Sequence, residues 1–223
     1  MADPRTPWSR RRFLGSAGTG AAVLVLGACG LNRGASVDRA GQPESGSFGG
    51  TEVDPPFDKP DRTFIDHNGQ PFNLRADTKD RLAILFFGYT NCPDVCPVYL
   101  NQMSSAIKAI GTGPGSRPMV LFVGVDTARD TPEVLKGYLS DFGELFIGLS
   151  ADDETIAAAL DDLTLPQVIL REPDENGDYY VDHAAYAVAF SPDNLGHRIY
   201  STGTVRQQDW VEDLPRLDQG KFV

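Results

Sequence analysis

Residues 81–100, RLAILFFGYTNCPDVCPVYL, carry the reading of the fold. The first nine are an almost unbroken apolar run, as a central strand covered on both faces requires. From Pro97 the period changes: Leu100, Met103, Ile107 and Ile110 recur at helical spacing, and Pro97 suits a first helical turn. Between strand and helix lies a loop with Cys92 and Cys96, each directly followed by a proline. That loop falls at the carboxyl end of the strand, the edge where open α/β sheets put their ligands.

Working outward, residues 63–74, TFIDHNGQPFNL, place Asn68-Gly69 between two short apolar-bearing segments, which predicts a tight hairpin. MVLFVGVD at 119–126 reads as a second buried strand. DTPEVLKGYLSDF at 130–142 reads as a helix capped by Thr131 with Pro132 in its first turn. Residues 153–163 form another helix, with Ile156, Leu160 and Leu163 on one side, and QVILRE at 167–172 a strand or extended segment. AAYAVAF and HRIYST make a strand pair joined by the turn SPDNLG, and a helix around Trp210 and Leu214 closes the chain. The pattern predicts an α/β sandwich, a central mixed sheet flanked by helices with an N-terminal hairpin, in one domain over 61–223. No internal repeat is visible.

The N-terminus sets the compartment. Paired arginines at 10–12 precede an apolar stretch that ends at Leu26-Gly27-Ala28-Cys29. This reads as a twin-arginine export signal over 1–28, closed by a lipoprotein cleavage box. Phe13 to Ala28 is too short and glycine-rich to span a bilayer core, which needs about 20 apolar residues. Cleavage would leave Cys29 as the lipidated first residue, on the outer face of the cytoplasmic membrane. Only Cys92 and Cys96 then remain as thiols. Residues 29–60, rich in Gly, Ser, Pro and Asp, read as a flexible tether reaching roughly 30 Å. Residues 1–28 carry four arginines against Asp3, so the remainder holds −14 against the chain's −11. Such an acidic surface excludes nucleic acid as a partner.

The cysteine pair admits three uses: staple, redox couple or metal claw. As a staple it closes only a five-residue loop, worth on the order of 2 kcal/mol, less than half of what a long loop gains. The prolines bias both cysteines away from helical geometry, so the pair is expected on a stiffened loop before a helix that begins at or near Pro97. The positive end of that helix favours thiolate at Cys96 and at Cys92. Thiolates serve nucleophilic attack and soft-metal binding equally well, which leaves redox couple and metal claw both open.

FFGYTNCPDVCPVYL, followed by VGVDTARDTPEVLKGYLSDFG and then by YVDHAAYAVAF, resembles the SCO/SenC family of membrane-anchored copper chaperones over roughly residues 60–217. The resemblance implies a thioredoxin-like fold that binds one copper ion, as Cu(I) or Cu(II), through two cysteines and a histidine. By position these are Cys92, Cys96 and His183. It also implies a partner, cytochrome c oxidase subunit II, whose binuclear copper centre such proteins help to build. The upstream copper donor is left unspecified. His183 stands where ordinary thioredoxins carry a cis-proline, and an imidazole there completes a metal site. Asp182 is a candidate to orient that ring. His67, beside the hairpin turn, and His197, opening a strand, read as surface residues. The chain departs from the family pattern at Thr127 and Ala184, neither of them a ligand.

Asp126, Arg129 and Asp130 read as helix-capping residues, with an ion pair near the site as the alternative. The acidic loop at 171–182 reads equally as a solvated hairpin or as a flap and docking surface. Two other functions compete with a chaperone: a thiol:disulfide oxidoreductase that keeps the oxidase cysteines reduced, and a redox or copper sensor cycling the Cys92–Cys96 pair.

Overall fold

The computed structural model describes residues 47–222. The arginine-led segment, Cys29 and the first part of the tether therefore lie outside the described residues. The elements run β1 (Thr51–Asp58), β2 (Thr63–Asp66), β3 (Pro71–Asn73), β4 (Ala83–Gly88) and α1 (Val95–Ile110). They continue with β5 (Met119–Gly124), α2 (Pro132–Leu139), β6 (Phe146–Ser150) and α3 (Asp153–Asp162). Then follow β7 (Ile169–Leu170), β8 (Val181–Asp182), β9 (Tyr186–Phe190), β10 (Leu195–Ser201) and α4 (Gln207–Asp218).

Eight strands form one mixed sheet in the order β1-β10-β9-β4-β5-β6-β2-β3, while β7 and β8 make a separate two-stranded ribbon. β4, β5 and β6 are parallel, and every residue of β4 and β5 is buried, as continuous apolar runs demand. β9 joins β4 antiparallel, so the segment after His183 lies next to the strand that leads to Cys92. Helix α1 packs on α4 and α2 on β6. A chain of rings runs through this core, from Phe86 to Tyr99 at 4.9 Å, on to Trp210 at 6.0 Å and to Tyr200 at 4.0 Å.

The Asn68-Gly69 hairpin is present between β2 and β3, with Gly69 at φ 77°. Thr131 caps α2 by accepting from the Val134 N–H at 3.4 Å, and Asp152 caps α3 in the same way at 2.8 Å. Three features differ from the sequence reading. β1 lies inside the segment whose composition reads as tether. It pairs with β10 around an irregularity between Glu52 and Phe57 that contains Pro55 and Pro56, and it is an edge strand, where proline is tolerated. The backbone N–H groups of Gly49 and Gly50 then donate to the buried Asp213 at 2.9 and 3.2 Å, which ties the domain's entry to α4. β6, short and interrupted by Gly148, adds a third parallel strand. Finally, α1 starts at Val95, so Cys96 sits in its first turn despite the following proline.

β4 and β5 end side by side on Gly88 and Gly124, which are register partners. A Cβ on Gly88 would stand 2.8 Å from Phe122 Cε2 and 3.0 Å from Cys96 Sγ, and one on Gly124 would stand 2.6 Å from Asp130 Cβ. The two glycines let a sulfur and a carboxylate come up against the ends of the strands. Gly124→Ala should therefore cost about 1–3 kcal/mol by overpacking. Gly137→Ala, at an open helical position, should be neutral or stabilising. Urea unfolding of the two variants checks this, and equal midpoints would contradict it.

Candidate metal centre

Two loops at the carboxyl end of β4 build the site. The first carries Cys92, whose N–H donates to the Tyr89 carbonyl at 3.2 Å, and leads into α1 with Cys96 one residue after its start. The second is the short link between β8 and β9, which holds His183. Cys92, Cys96 and His183 place their ligand atoms within 4.8 Å of one another, and they are the one such group of metal-ligating side chains among the described residues. Cys96 Sγ lies 3.9 Å from His183 Nε2. Nδ1 of the same ring is 3.2 Å from the Ala184 carbonyl, which can only accept, so Nδ1 is the donor there and Nε2 is the nitrogen that faces the sulfurs. The ring stands edge-on to Phe86 and Tyr89, with centroids 6.2 and 5.7 Å away.

Both cysteines are free thiols; Cys96 is fully buried and Cys92 is 8% exposed. Their environments push them apart. The hydrogen bond from the Cys96 thiol lowers the Cys92 pKa to about 5 against the cost of burial, with help from the N–H groups of Cys96, Asp94 and Val95 at the start of α1. The Cys96 N–H lies 3.4 Å from the Cys92 sulfur. Cys96 is pushed upward, by that same shared proton and then by burial. The helix start thus favours a thiolate at Cys92, while the shared proton and burial favour the thiol at Cys96, so the pair is divided where thiolate was expected at both. A soft cation replacing the shared proton would meet two sulfurs and one imidazole.

Asp182 does not orient His183. Its carboxylate pairs with Arg171 across the β7–β8 ribbon, at an exposed position. Neither His67 nor His197 is a bare surface residue. His67 Nδ1 accepts from the Gly148 N–H at 3.0 Å, and His197 stacks on Phe222 at 3.5 Å with Asp193 2.8 Å from its Nε2. Asp126 does form an ion pair with Arg129 beside the site, and Asp130 turns inward to accept from the Thr90 N–H and hydroxyl at 3.0 and 2.6 Å. Residues 171–182 fold as the tip and return strand of the ribbon, whose turn Asp174 closes by accepting from the N–H groups of Asn176 and Asp178. A shallow cleft of about 440 Å³ opens over the site, lined by Cys92, Val95, Tyr180 and His183 among others. Val95 and Tyr180 are exposed apolar side chains on its rim.

The family model SCO1/SenC matches residues 51–217. Among curated proteins, the chain is 32% identical over 147 residues to the mitochondrial protein SCO2 of Saccharomyces cerevisiae. That stretch covers 66% of this chain and 47% of the yeast protein. It is 31% identical over 163 residues to the mitochondrial SCO2 homolog of Bos taurus, covering 73% of this chain and 60% of the bovine one. The chain thus spans about half to three-fifths of the length of these relatives. Among solved structures, ScoI of Bradyrhizobium japonicum with copper bound matches with a TM-score of 0.60 at 31% identity, over 73% of this chain and 97% of that one. Apo Sco1 of Thermus thermophilus matches with a TM-score of 0.67 at 31% identity, over 75% and 95%. The mixed sheet and its helices are the thioredoxin-like fold of these structures.

The split between the two thiols can be read directly. Alkylation of the metal-free protein should modify Cys92 first, at a rate that is flat above about pH 6 and falls as the pH drops through about 5, because only thiolate attacks. Mass mapping of singly modified protein checks the order. Equal labelling of both cysteines, with a midpoint near that of a free thiol, would contradict it.

Proposed function

The chain belongs to the SCO1/SenC family, and from that premise we propose that it is a copper metallochaperone acting in cytochrome c oxidase assembly. On this reading it is lipid-anchored and delivers copper to the binuclear centre of subunit II. The observation that carries the proposal is the convergence of Cys92, Cys96 and His183 from two loops on one cleft. Copper is the cargo here. Two sulfurs and a neutral imidazole suit Cu(I), and the same set holds Cu(II) with an added oxygen donor. The copper-bound Bradyrhizobium relative supports the same cargo. Shallow, one-sided access from the cleft suits a site that must release its metal to another protein. Zinc is a poorer fit, because a closed structural zinc site takes four protein ligands and the group here has three.

A second reading is favoured by the divided thiols. A Cys92 thiolate can attack a partner's disulfide sulfur, forming a mixed disulfide and releasing one partner thiolate. Cys96, on losing its proton, then attacks the Cys92 sulfur, closing a Cys92–Cys96 disulfide and freeing the second partner thiol. The partner gains two electrons and the one proton that Cys96 gives up, the dithiol is oxidised by two electrons, and any second proton on the partner comes from solvent. Such exchange needs no imidazole ligand, and that separates the two readings.

In cells at limiting copper, His183→Ala should depress assembled oxidase nearly as far as the Cys92→Ser/Cys96→Ser double variant, and added copper should partly restore it by mass action. Full oxidase activity with His183→Ala, alongside none with the double variant, would establish thiol exchange in place of copper delivery. The purified Cys→Ser variants should lose tight Cu(I) binding, since a hydroxyl is a poor soft-metal ligand. His183→Ala should retain weaker Cu(I) binding. For the anchor, Cys29→Ala should abolish lipid labelling and leave the precursor unprocessed; labelling at the wild-type level would contradict the lipoprotein reading.

A further inference from the structure

His183 hangs between the main sheet and a ribbon of two very short strands. β7 and β8 contribute two residues each, paired Ile169 with Asp182 and Leu170 with Val181. A lone two-stranded hairpin is marginally stable in water, and most of residues 169–182 are exposed. By itself such a ribbon would leave the ring at its end poorly placed, yet a ligand must be held to within a fraction of an ångström. The return segment is held from outside the ribbon at Val181, buried in the core and hydrogen-bonded through its backbone to Tyr89, and again at Tyr179.

The Tyr179 hydroxyl donates to Asp126 Oδ1 at 2.9 Å. The Arg129 guanidinium lies over its ring, 3.8 Å from the centroid, and Arg129 also donates to the Tyr179 carbonyl at 3.4 Å. Arg129 is ion-paired with the other oxygen of the same aspartate. Asp126 is 1% exposed, so its carboxylate is fixed within the fold. The attachment continues to the other half of the site. The Asp126 N–H donates to Asp130 Oδ2 at 3.2 Å, and Asp130 Oδ1 accepts from the N–H and the hydroxyl of Thr90, two residues before Cys92. One connected set of bonds, anchored just after the end of β5, therefore holds the loop that carries the cysteines and the segment that leads to the histidine. Between Tyr179 and His183 lie three residues, two of them extended in β8, a reach of roughly 13 Å.

We propose that Tyr179, latched to Asp126 and Arg129, is a positioning residue that fixes the place of His183 over the two sulfurs. It touches no metal ligand itself and acts through the ribbon. The inference rests on the copper-site reading for its function, but the latch can also be observed without metal.

The test uses the mature chain as wild type, Tyr179→Phe, Tyr179→Ala and Tyr179→Ala/His183→Ala. Tyr179→Phe keeps the ring over Arg129 and loses the bond to Asp126. Tyr179→Ala loses both. By comparison with other residues that orient metal ligands from outside the ligand set, Tyr179→Ala should weaken Cu(I) binding by about 10-fold or more in chelator competition. It should also shift the sulfur-to-Cu(II) absorption bands, with Tyr179→Phe in between. In the His183→Ala background, Tyr179→Ala should cost nothing further, because the residue acts through that ring. A further loss of about 10-fold in that background would overturn the proposal. So would a lowered melting temperature in Tyr179→Ala with unchanged copper affinity and bands, the signature of a merely structural role. If Tyr179→Ala fails to fold, Tyr179→Phe decides by the same readouts.

Nitrogen-15 resonances of the His183 ring in the copper-free protein separate this inference from the copper reading. A wild type that held no copper would sink the chaperone assignment. The latch would then stand if those resonances moved in the Tyr179 variants, and would fall if they did not.

Discussion

The site depends on how closely two things approach the ends of two parallel strands. β4 and β5 finish on glycines in register, and their missing side chains leave room for the Cys96 sulfur at one end and the Asp130 side chain at the other. Asp130 holds Thr90 and the backbone of Asp126. Cys96 then lies beneath Cys92 at the start of α1 and 3.9 Å from His183. A methyl group on either glycine would have to displace one of these groups, so the chemistry of the site is set by packing two residues deep.

Proton and metal compete for the same place. In the metal-free protein one proton between Cys92 and Cys96 suffices, because burial disfavours two neighbouring thiolates. A soft cation can take that place with both sulfurs deprotonated, and the third donor, Nε2 of His183, already faces them. The same divided dithiol is what thiol exchange requires. The imidazole, set where an oxidoreductase of this fold would bring a proline to its substrate, tilts the arrangement towards metal.

Much of this was legible in the chain. The apolar run before Tyr89, the change to helical period after Pro97 and the cap at Thr131 each rest on neighbouring residues, and each forms as read. Cys92 and Cys96 stand out in the sequence as a redox couple or metal claw, His183 could be nominated only by resemblance, and the fold brings all three together. What stayed hidden depends on distant partners. β1 looks like linker because Pro55 and Pro56 sit where only an edge strand tolerates them. Asp182 is next to His183 in sequence but turns to Arg171 across the ribbon. The bond from Tyr179 to Asp126 spans 53 residues and has no local signature. Cys96 enters the helix although the next residue is proline, because tertiary packing outweighs a local backbone bias.

The central claim is that this chain carries one copper ion on two sulfurs and one histidine nitrogen. X-ray absorption at the copper edge on the Cu(I)-loaded protein, with metal content measured on the same sample, tests it most directly. The account predicts one copper per chain, coordinated by two sulfur scatterers and one imidazole, with the imidazole lost in His183→Ala. Substoichiometric copper, or a spectrum that His183→Ala leaves unchanged, would contradict it.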